Sequence, residues 1–225
     1  MKILGLDTSI MRESVAILED GAILNQISSP ESSLPSRELL VMIDNLLRTE
    51  FLTIEDIDAM AIAIGPGSFT GLKIGLALAK GISLPSGIPL IPVSTLGALV
   101  LSYGLEGRVA PIIDGRANII YSATYLSDGE GGYDCVVKEG AFNIDQLCES
   151  VKEKTIFFGD ALERYGQEIE RRLGDLAIIK RDVPKFTVAA GVGFIALTKQ
   201  KEGVETDYKD VNPEYILRPL PERNL

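Results

Sequence analysis

Histidine is absent from all 225 residues, and that absence removes more chemistry than any other feature of the composition. Ser-His-Asp and Cys-His nucleophile schemes, H-E-x-x-H zinc sites and imidazole acid–base catalysis are closed to such a chain. Catalysis, if any, would fall to carboxylates or lysines. Cysteine is nearly absent as well, and Cys135 and Cys148 stand too far apart for a C-x-x-C redox or metal knuckle. No run approaches the roughly 20 apolar residues that span a bilayer, because Lys73 and Lys80 interrupt the best candidate. The first residues already read as a strand and do not resemble a leader peptide. The expectation is a reduced, cytoplasmic protein without membrane contact. Positive charge is also short: Lys+Arg number 22 against 32 Asp+Glu, a net charge of −10. Such a surface repels phosphate backbones, so autonomous nucleic-acid binding is not expected.

Hydrophobic residues, by contrast, make up 46% of the chain, ample for a buried core. "KILGLDTS" reads as a buried strand ending in small polar residues, and "ESVAILEDGAILNQIS" as a hairpin about its Asp-Gly turn. "LPSRELLVMIDNLLRTEF" places Leu39, Leu40, Ile43, Leu46 and Leu47 at helical spacing, with Val41 and Met42 widening the stripe beyond one packing face. Thr53 is a candidate helix N-cap, "AMAIAI" reads as a fourth strand, and a glycine turn and second helix follow. The second half repeats this order: three strands from "RVAPIID" to "YDCVVKEGAF", the helix "IDQLCESVKEK", the strand "TIFFG" and the helix "ALERYGQEIERRL". The echo predicts a duplicated α/β fold with lobes over 1–103 and 104–225, divided where "SYGLEGR" loses its apolar pattern. A short strand "LAIIK" comes next, and an apolar helix over 187–202 is expected to pack back on the first lobe.

The glycine turn "GPGSFTGLKIG" fails both phosphate-binding templates. Lys73 is followed by Ile74 where a Walker A loop needs Gly-Lys-Ser/Thr, and Thr70 stands where G-x-G-x-x-G needs its third glycine. Gly71, Gly75 and Ala79 instead leave one helix face nearly bare, so that another backbone can approach it. The helix is apolar on most sides except at Lys73 and Lys80, so something must cover it. With the equally apolar first helix beside it, the expectation is an interface with another chain.

Taken in order, "ILGLDTS", "RELLVMIDNLL", "IDAMAIAIGPGSFTGLKIGLALAKGIS", "IPVSTLGAL" and "IIDGRANIIYSATY" resemble the bacterial TsaB (YeaZ-like) family, strongly over 2–98 and weakly after about Tyr133. The resemblance implies an actin-like (ASKHA, ribonuclease H-like) two-lobed fold. It implies a noncatalytic subunit that pairs with a metal-bearing TsaD homologue, which transfers threonylcarbamoyl to N6 of adenosine 37 of tRNA, and with an ATP-hydrolysing TsaE homologue. No catalytic or metal-binding residue and no cofactor is carried over, although a nucleotide could lodge at the partner interface, and tRNA would be met only within the complex. Asp7, Thr8 and Ser9 fall at the superfamily's first phosphate loop and Asp114 and Arg116 at its second. Together they imply a vestigial nucleotide cleft, though such residues also favour strand-end turns on their own account. The partner surface maps to Leu39, Leu40, Ile43, Leu47, Gly71, Ile74, Gly75 and Leu78. The same patch would pair two copies when the partner is absent. The family usually has His-Ser before the leucine run, where Pro35 and Ser36 stand here. Two rivals stay open, a small-molecule phosphotransferase of the same superfamily and a glycopeptidase-like activity.

Overall fold

The computed structural model describes residues 1–30, 35–182, 184–203 and 207–217, and their strands form two five-stranded sheets. In the first, β1 (Lys2–Asp7), β2 (Ser14–Glu19) and β3 (Ala22–Ser28) form an antiparallel meander. Asp20 and Gly21 turn its second hairpin with φ of 49° and 90°, the pair of left-handed residues that a type I′ turn requires. α1 (Pro35–Thr49) leads through a 3₁₀ turn capped by Thr53 to β4 (Ala59–Gly65), parallel to β1. α2 (Phe69–Ser86) then leads to β5 (Leu90–Ser94), parallel to β4, and the order is β3-β2-β1-β4-β5.

After α3 (Thr95–Tyr103) the programme repeats. β6 (Arg108–Asp114), β7 (Ile120–Ser127), β8 (Tyr133–Phe142), α4 (Ile144–Ser150), β9 (Thr155–Phe158), α5 (Leu162–Leu173) and β10 (Ala177–Ile179) give the order β10-β9-β6-β7-β8. With β6 to β10 set against β1 to β5, every neighbour relation is the same. The chain divides into one compact unit of Met1–Ala98 with Phe186–Glu214, and a second of Leu99–Lys185 with the residues from Tyr215. The division falls inside α3, and α6 (Val188–Lys201) belongs to the first unit.

Small residues let α6 lie directly on the first sheet. A Cβ on Gly5 would stand 2.2 Å from the Ala189 carbonyl oxygen, and one on Gly193 would stand 2.3 Å from Leu18 Cδ1. Ala189 N donates to Ser14 Oγ at 3.0 Å, and Lys199 Nζ to the Pro92 carbonyl at 2.7 Å. Leu4, Leu6, Val15, Ile17, Met60 and Ile62 join a cluster with Leu39, Ile43 and Leu46 of α1 and Leu76 of α2. Side chains alternate across a strand, so helices cover both faces of this sheet. β1 and β4 accordingly read as unbroken apolar runs, the signature of a sheet buried on both sides. In the second unit Ile112, Ile120, Phe157, Leu162 and Ile169 form the corresponding core under α4 and α5.

Candidate functional site

The C-terminal end of β1 is seated on the start of α2 by hydrogen bonds in both directions. Thr8 Oγ1 donates to the Gly71 carbonyl at 2.8 Å, and Ser68 N donates to the Ser9 carbonyl at 2.7 Å. Ser68 also caps α2, its Oγ accepting from Gly71 N. This seating explains the glycine motif. A Cβ would lie 2.0 Å from the Thr8 carbonyl oxygen at Gly71, 2.2 Å from Thr8 Oγ1 at Gly75 and 2.3 Å from the Ser9 carbonyl oxygen at Gly67. The expectation that Gly71 and Gly75 present a bare face to another chain is therefore corrected. That face is covered by β1 of the same chain, because a strand end can approach a helix this closely only where side chains are missing.

Asp7 is wholly buried at this seat. Its Oδ1 accepts from both the amide and the hydroxyl of Ser9, whereas Oδ2 has no hydrogen-bond partner among the described residues. Burial pushes its carboxyl up to about 6 against the opposing pull of the Ser9 hydrogen bonds. Glu13, which the sequence reading passed over, is more isolated still. It is 4% exposed and neither carboxylate oxygen has a partner among the described residues. Burial, reinforced by the charges of Glu38 and Asp7, pushes it up to about 7. Its position just before the run "SVAIL" reads as an ordinary polar strand flank, and no signal in the sequence marks it as buried. The two carboxylates offer a nucleotide's phosphates no donor: Ser9 occupies Asp7 Oδ1, and the unpartnered oxygens of Asp7 and Glu13 can only accept when ionised. Among the described residues, no group of three or more His, Cys, Asp or Glu could hold a metal ion.

Asp114 ends β6 as Asp7 ends β1, with different surroundings. Its N–H donates to Asp160 Oδ1 at 3.0 Å, its Oδ1 accepts from Arg116 N at 2.8 Å, and Arg164 Nη1 lies 3.8 Å from its Oδ2. Arg116, Ala117 and Asn118 all adopt left-handed backbone, with φ of 60°, 47° and 63°. Arg164 holds this loop by donating to Asn118 Oδ1 at 2.7 Å. Arg116 itself is exposed. The duplicated strand ends are thus chemically unequal, the first a buried carboxylate with a bare oxygen and the second an exposed loop beside an arginine.

The two helices proposed as a partner surface divide their residues between inside and outside. Leu39, Ile43 and Leu47 are buried in the first unit's core, while Leu40 is 51% and Val41 55% exposed. Ile74 and Leu78 are half-buried. Leu40, Ile43 and Leu47 also line one wall of an open groove of about 850 Å³ that Gly81, Ile82 and Pro85 of α2 complete, with Asp44, Glu55 and Asp58 among its other lining residues. Sequence spacing identified α1 and α2 but not Ile82 or Pro85. The side chains of Pro35 and Ser36, where the resembling family has His-Ser, lie outside the described residues.

A family model described as "TsaD: tRNA N6-adenosine threonylcarbamoyltransferase" matches residues 31–168. The chain is similar to the tRNA threonylcarbamoyladenosine biosynthesis protein TsaB of Escherichia coli, 35% identical over 135 residues, 58% of each chain. It therefore spans less than two thirds of that relative. The Bacillus subtilis protein of the same name is 27% identical over 220 residues, 96% of this chain and 94% of that one. A tRNA N6-adenosine threonylcarbamoyltransferase of Solidesulfovibrio magneticus is 38% identical over 125 residues, 49% of this chain but 34% of its own length. Among solved structures, YeaZ from Pseudomonas aeruginosa superposes with a TM-score of 0.81 at 24% identity, covering 95% of this chain and 99% of that one. The activator of 2-hydroxyisocaproyl-CoA dehydratase from Clostridium difficile, which holds ADPNP, superposes at 0.54 with 14% identity, covering 96% and 100%. With the duplicated sheets, these likenesses place the fold in the actin-like class.

Proposed function

Because the chain belongs to the TsaD family, as one of its TsaB (YeaZ-like) members, we propose that it is a noncatalytic subunit of a tRNA threonylcarbamoyladenosine-forming complex. It pairs with a longer, catalytic TsaD-type subunit, and an ATP-hydrolysing TsaE-type subunit joins them. The observation that carries the reading is the combination of what the chain lacks with what it presents. Without histidine, the chain offers neither an imidazole base nor an imidazole metal ligand. What it offers is the α1/α2 groove with exposed Leu40 and Val41 beside it. Apolar patches of this kind on an otherwise charged surface mark protein contacts.

The purified chain, mixed with threonylcarbamoyl-adenylate and tRNA, is expected to give no modified adenosine, and transfer should appear when the TsaD-type subunit of the same organism is added. Nucleoside analysis of the digested tRNA by mass spectrometry reads this directly. Transfer at complex-like rates by the chain alone would overturn the noncatalytic assignment.

A further inference from the structure

We infer that Phe51 is the anchor through which this chain docks on an apolar, lysine- or arginine-bearing surface of the TsaD-type subunit, with the α1/α2 groove receiving that surface beside it. The inference rests on the pairing proposed above. Phe51 follows α1 in a Schellman turn: Phe51 N donates to the Arg48 carbonyl at 3.2 Å, and Leu52 N to the Leu47 carbonyl at 2.8 Å. Such a turn puts the residue just past the helix in left-handed backbone, a place usually taken by glycine, and Phe51 holds it with φ of 56°. For a bulky side chain that conformation is an outlier and calls for a reason. The chain's own core does not supply one, because Phe51 is 96% exposed, whereas the next residue, Leu52, packs against the core of the first unit.

Phe51 lies between two residues that line the groove, Leu47 four positions before it and Ile54 three after. An aromatic side chain at the rim and a recess next to it make a two-part contact, one part to be received and one to receive. Aromatic residues are enriched at protein interfaces and supply many of their central anchors. Charge identifies the occupant. The lining of the groove includes Asp44, Glu55 and Asp58 and no lysine or arginine. Arg48 shares the charge of Asp44, and the Lys2 amide donates to Asp58, which leaves Glu55, exposed on the 3₁₀ turn, to meet a partner's cation. A second copy of this chain would bring the same three carboxylates to the contact, so like charge opposes it and a cationic partner surface is the better occupant.

In the free chain the anchor costs stability, and in the complex it contributes affinity. Glycine enters left-handed backbone without the Cβ clash, so Phe51→Gly relieves the free chain while removing the ring that the partner buries. Glu55 acts differently. As an exposed charge it is screened over about 10 Å at 0.1 M salt, so it tunes the affinity with ionic strength and does not decide it.

The test is calorimetric titration of the full chain, as wild type, Phe51→Gly, Phe51→Tyr and Glu55→Gln, with the TsaD-type subunit of the same organism at about 50 and about 300 mM sodium chloride, beside thermal melts of the free chains. Phe51→Gly should bind on the order of 30-fold more weakly, and Phe51→Tyr, which keeps the ring, within about threefold of wild type. The free Phe51→Gly chain should nevertheless melt a few degrees higher. A residue with a purely structural role would not show these opposite signs. Wild-type affinity should fall about fivefold between the two salt concentrations, and Glu55→Gln should flatten that fall. Phe51→Gly pairing at wild-type affinity would overturn the anchor and leave the pairing standing. A free Phe51→Gly chain melting below wild type would show the ring packed within its own chain and overturn the anchor as well. Wild-type affinity that does not change with salt would overturn the cationic partner surface. No pairing by the wild type would overturn both the pairing and the anchor. Loss of self-association in Phe51→Gly, read by sedimentation, with wild-type pairing retained would overturn the partner assignment in favour of a second copy.

Discussion

Gly75→Leu should unfold the first unit, and the same substitution at Gly81 should leave it folded. The two glycines lie on one helix, in unlike surroundings. At Gly75 an added Cβ would meet Thr8 Oγ1 at 2.2 Å and Ile62 Cδ1 at 3.2 Å. Thr8 cannot easily yield, because its hydroxyl is committed to the Gly71 carbonyl and it follows directly on the wholly buried Asp7. Leucine adds three further carbons to that overlap, so the cost should exceed the roughly 1–3 kcal/mol of ordinary overpacking and consume much of a stability of about 5–15 kcal/mol. At Gly81 nothing lies within 4 Å of the added Cβ, and replacing a helical glycine is worth roughly 0.5–1 kcal/mol in the stabilising direction. Circular dichroism melts should show Gly75→Leu losing ten degrees or more, or failing to fold, while Gly81→Leu stays within a few degrees of wild type. A Gly75→Leu chain that melts like wild type would mean that β1 does not rest on α2 as the structure has it.

The glycine face shows what a sequence can and cannot convey about such a contact. Gly71, Gly75 and Ala79 at four-residue spacing state that something approaches α2 closely. They do not state what, and the answer is Thr8, more than sixty positions earlier in the chain. Helix phase has the same limit: Leu39 and Leu40 are adjacent in an apolar run, and packing on the first sheet alone decides that Leu39 is buried and Leu40 half out. Order along the chain was more legible, because hairpin signals such as Asp20-Gly21 and the change from period 2 to period 3.6 are local. The repeated strand–strand–strand–helix–strand–helix order, once noticed, leads to the two identical sheet orders. The groove was not legible, since α1, α2, the 3₁₀ turn near Ile54 and the loop to Pro89 all contribute to it. Glu13 was hidden for a related reason: its burial comes from the fold, and the charges that act on it, Glu38 and Asp7, stand on other elements.

Leu40→Asp should abolish pairing with the TsaD-type subunit while leaving the free chain intact. Leu40 is the residue to choose because it is 51% exposed and lines the groove, whereas Ile43, one turn on, is 3% exposed. An aspartate at Ile43 would bury a charge in the first unit's own core, and lost binding would then report only unfolding. At Leu40 the substitution removes an apolar anchor and adds a carboxylate to a groove already lined by Asp44, Glu55 and Asp58. Central anchors of protein interfaces cost about 2–4 kcal/mol when truncated, roughly 30- to 1,000-fold in affinity, and the introduced charge adds desolvation to that loss. Lys73→Ala offers the contrast. Its ammonium lies 3.9 Å over the Phe69 ring on the exposed face of α2, and rim charges mainly change association rates. That variant should weaken pairing less than about threefold, and chiefly at low salt. Gly81→Leu, folded but with its side chain projecting into the groove, should resemble Leu40→Asp in binding. Sedimentation velocity of the free chains should show the same order for self-association, since two copies would meet through the same patch. Leu40→Asp pairing at wild-type affinity would move the interface off this groove, and loss of pairing with Lys73→Ala alone would make charge, and not apolar burial, the force that holds the complex.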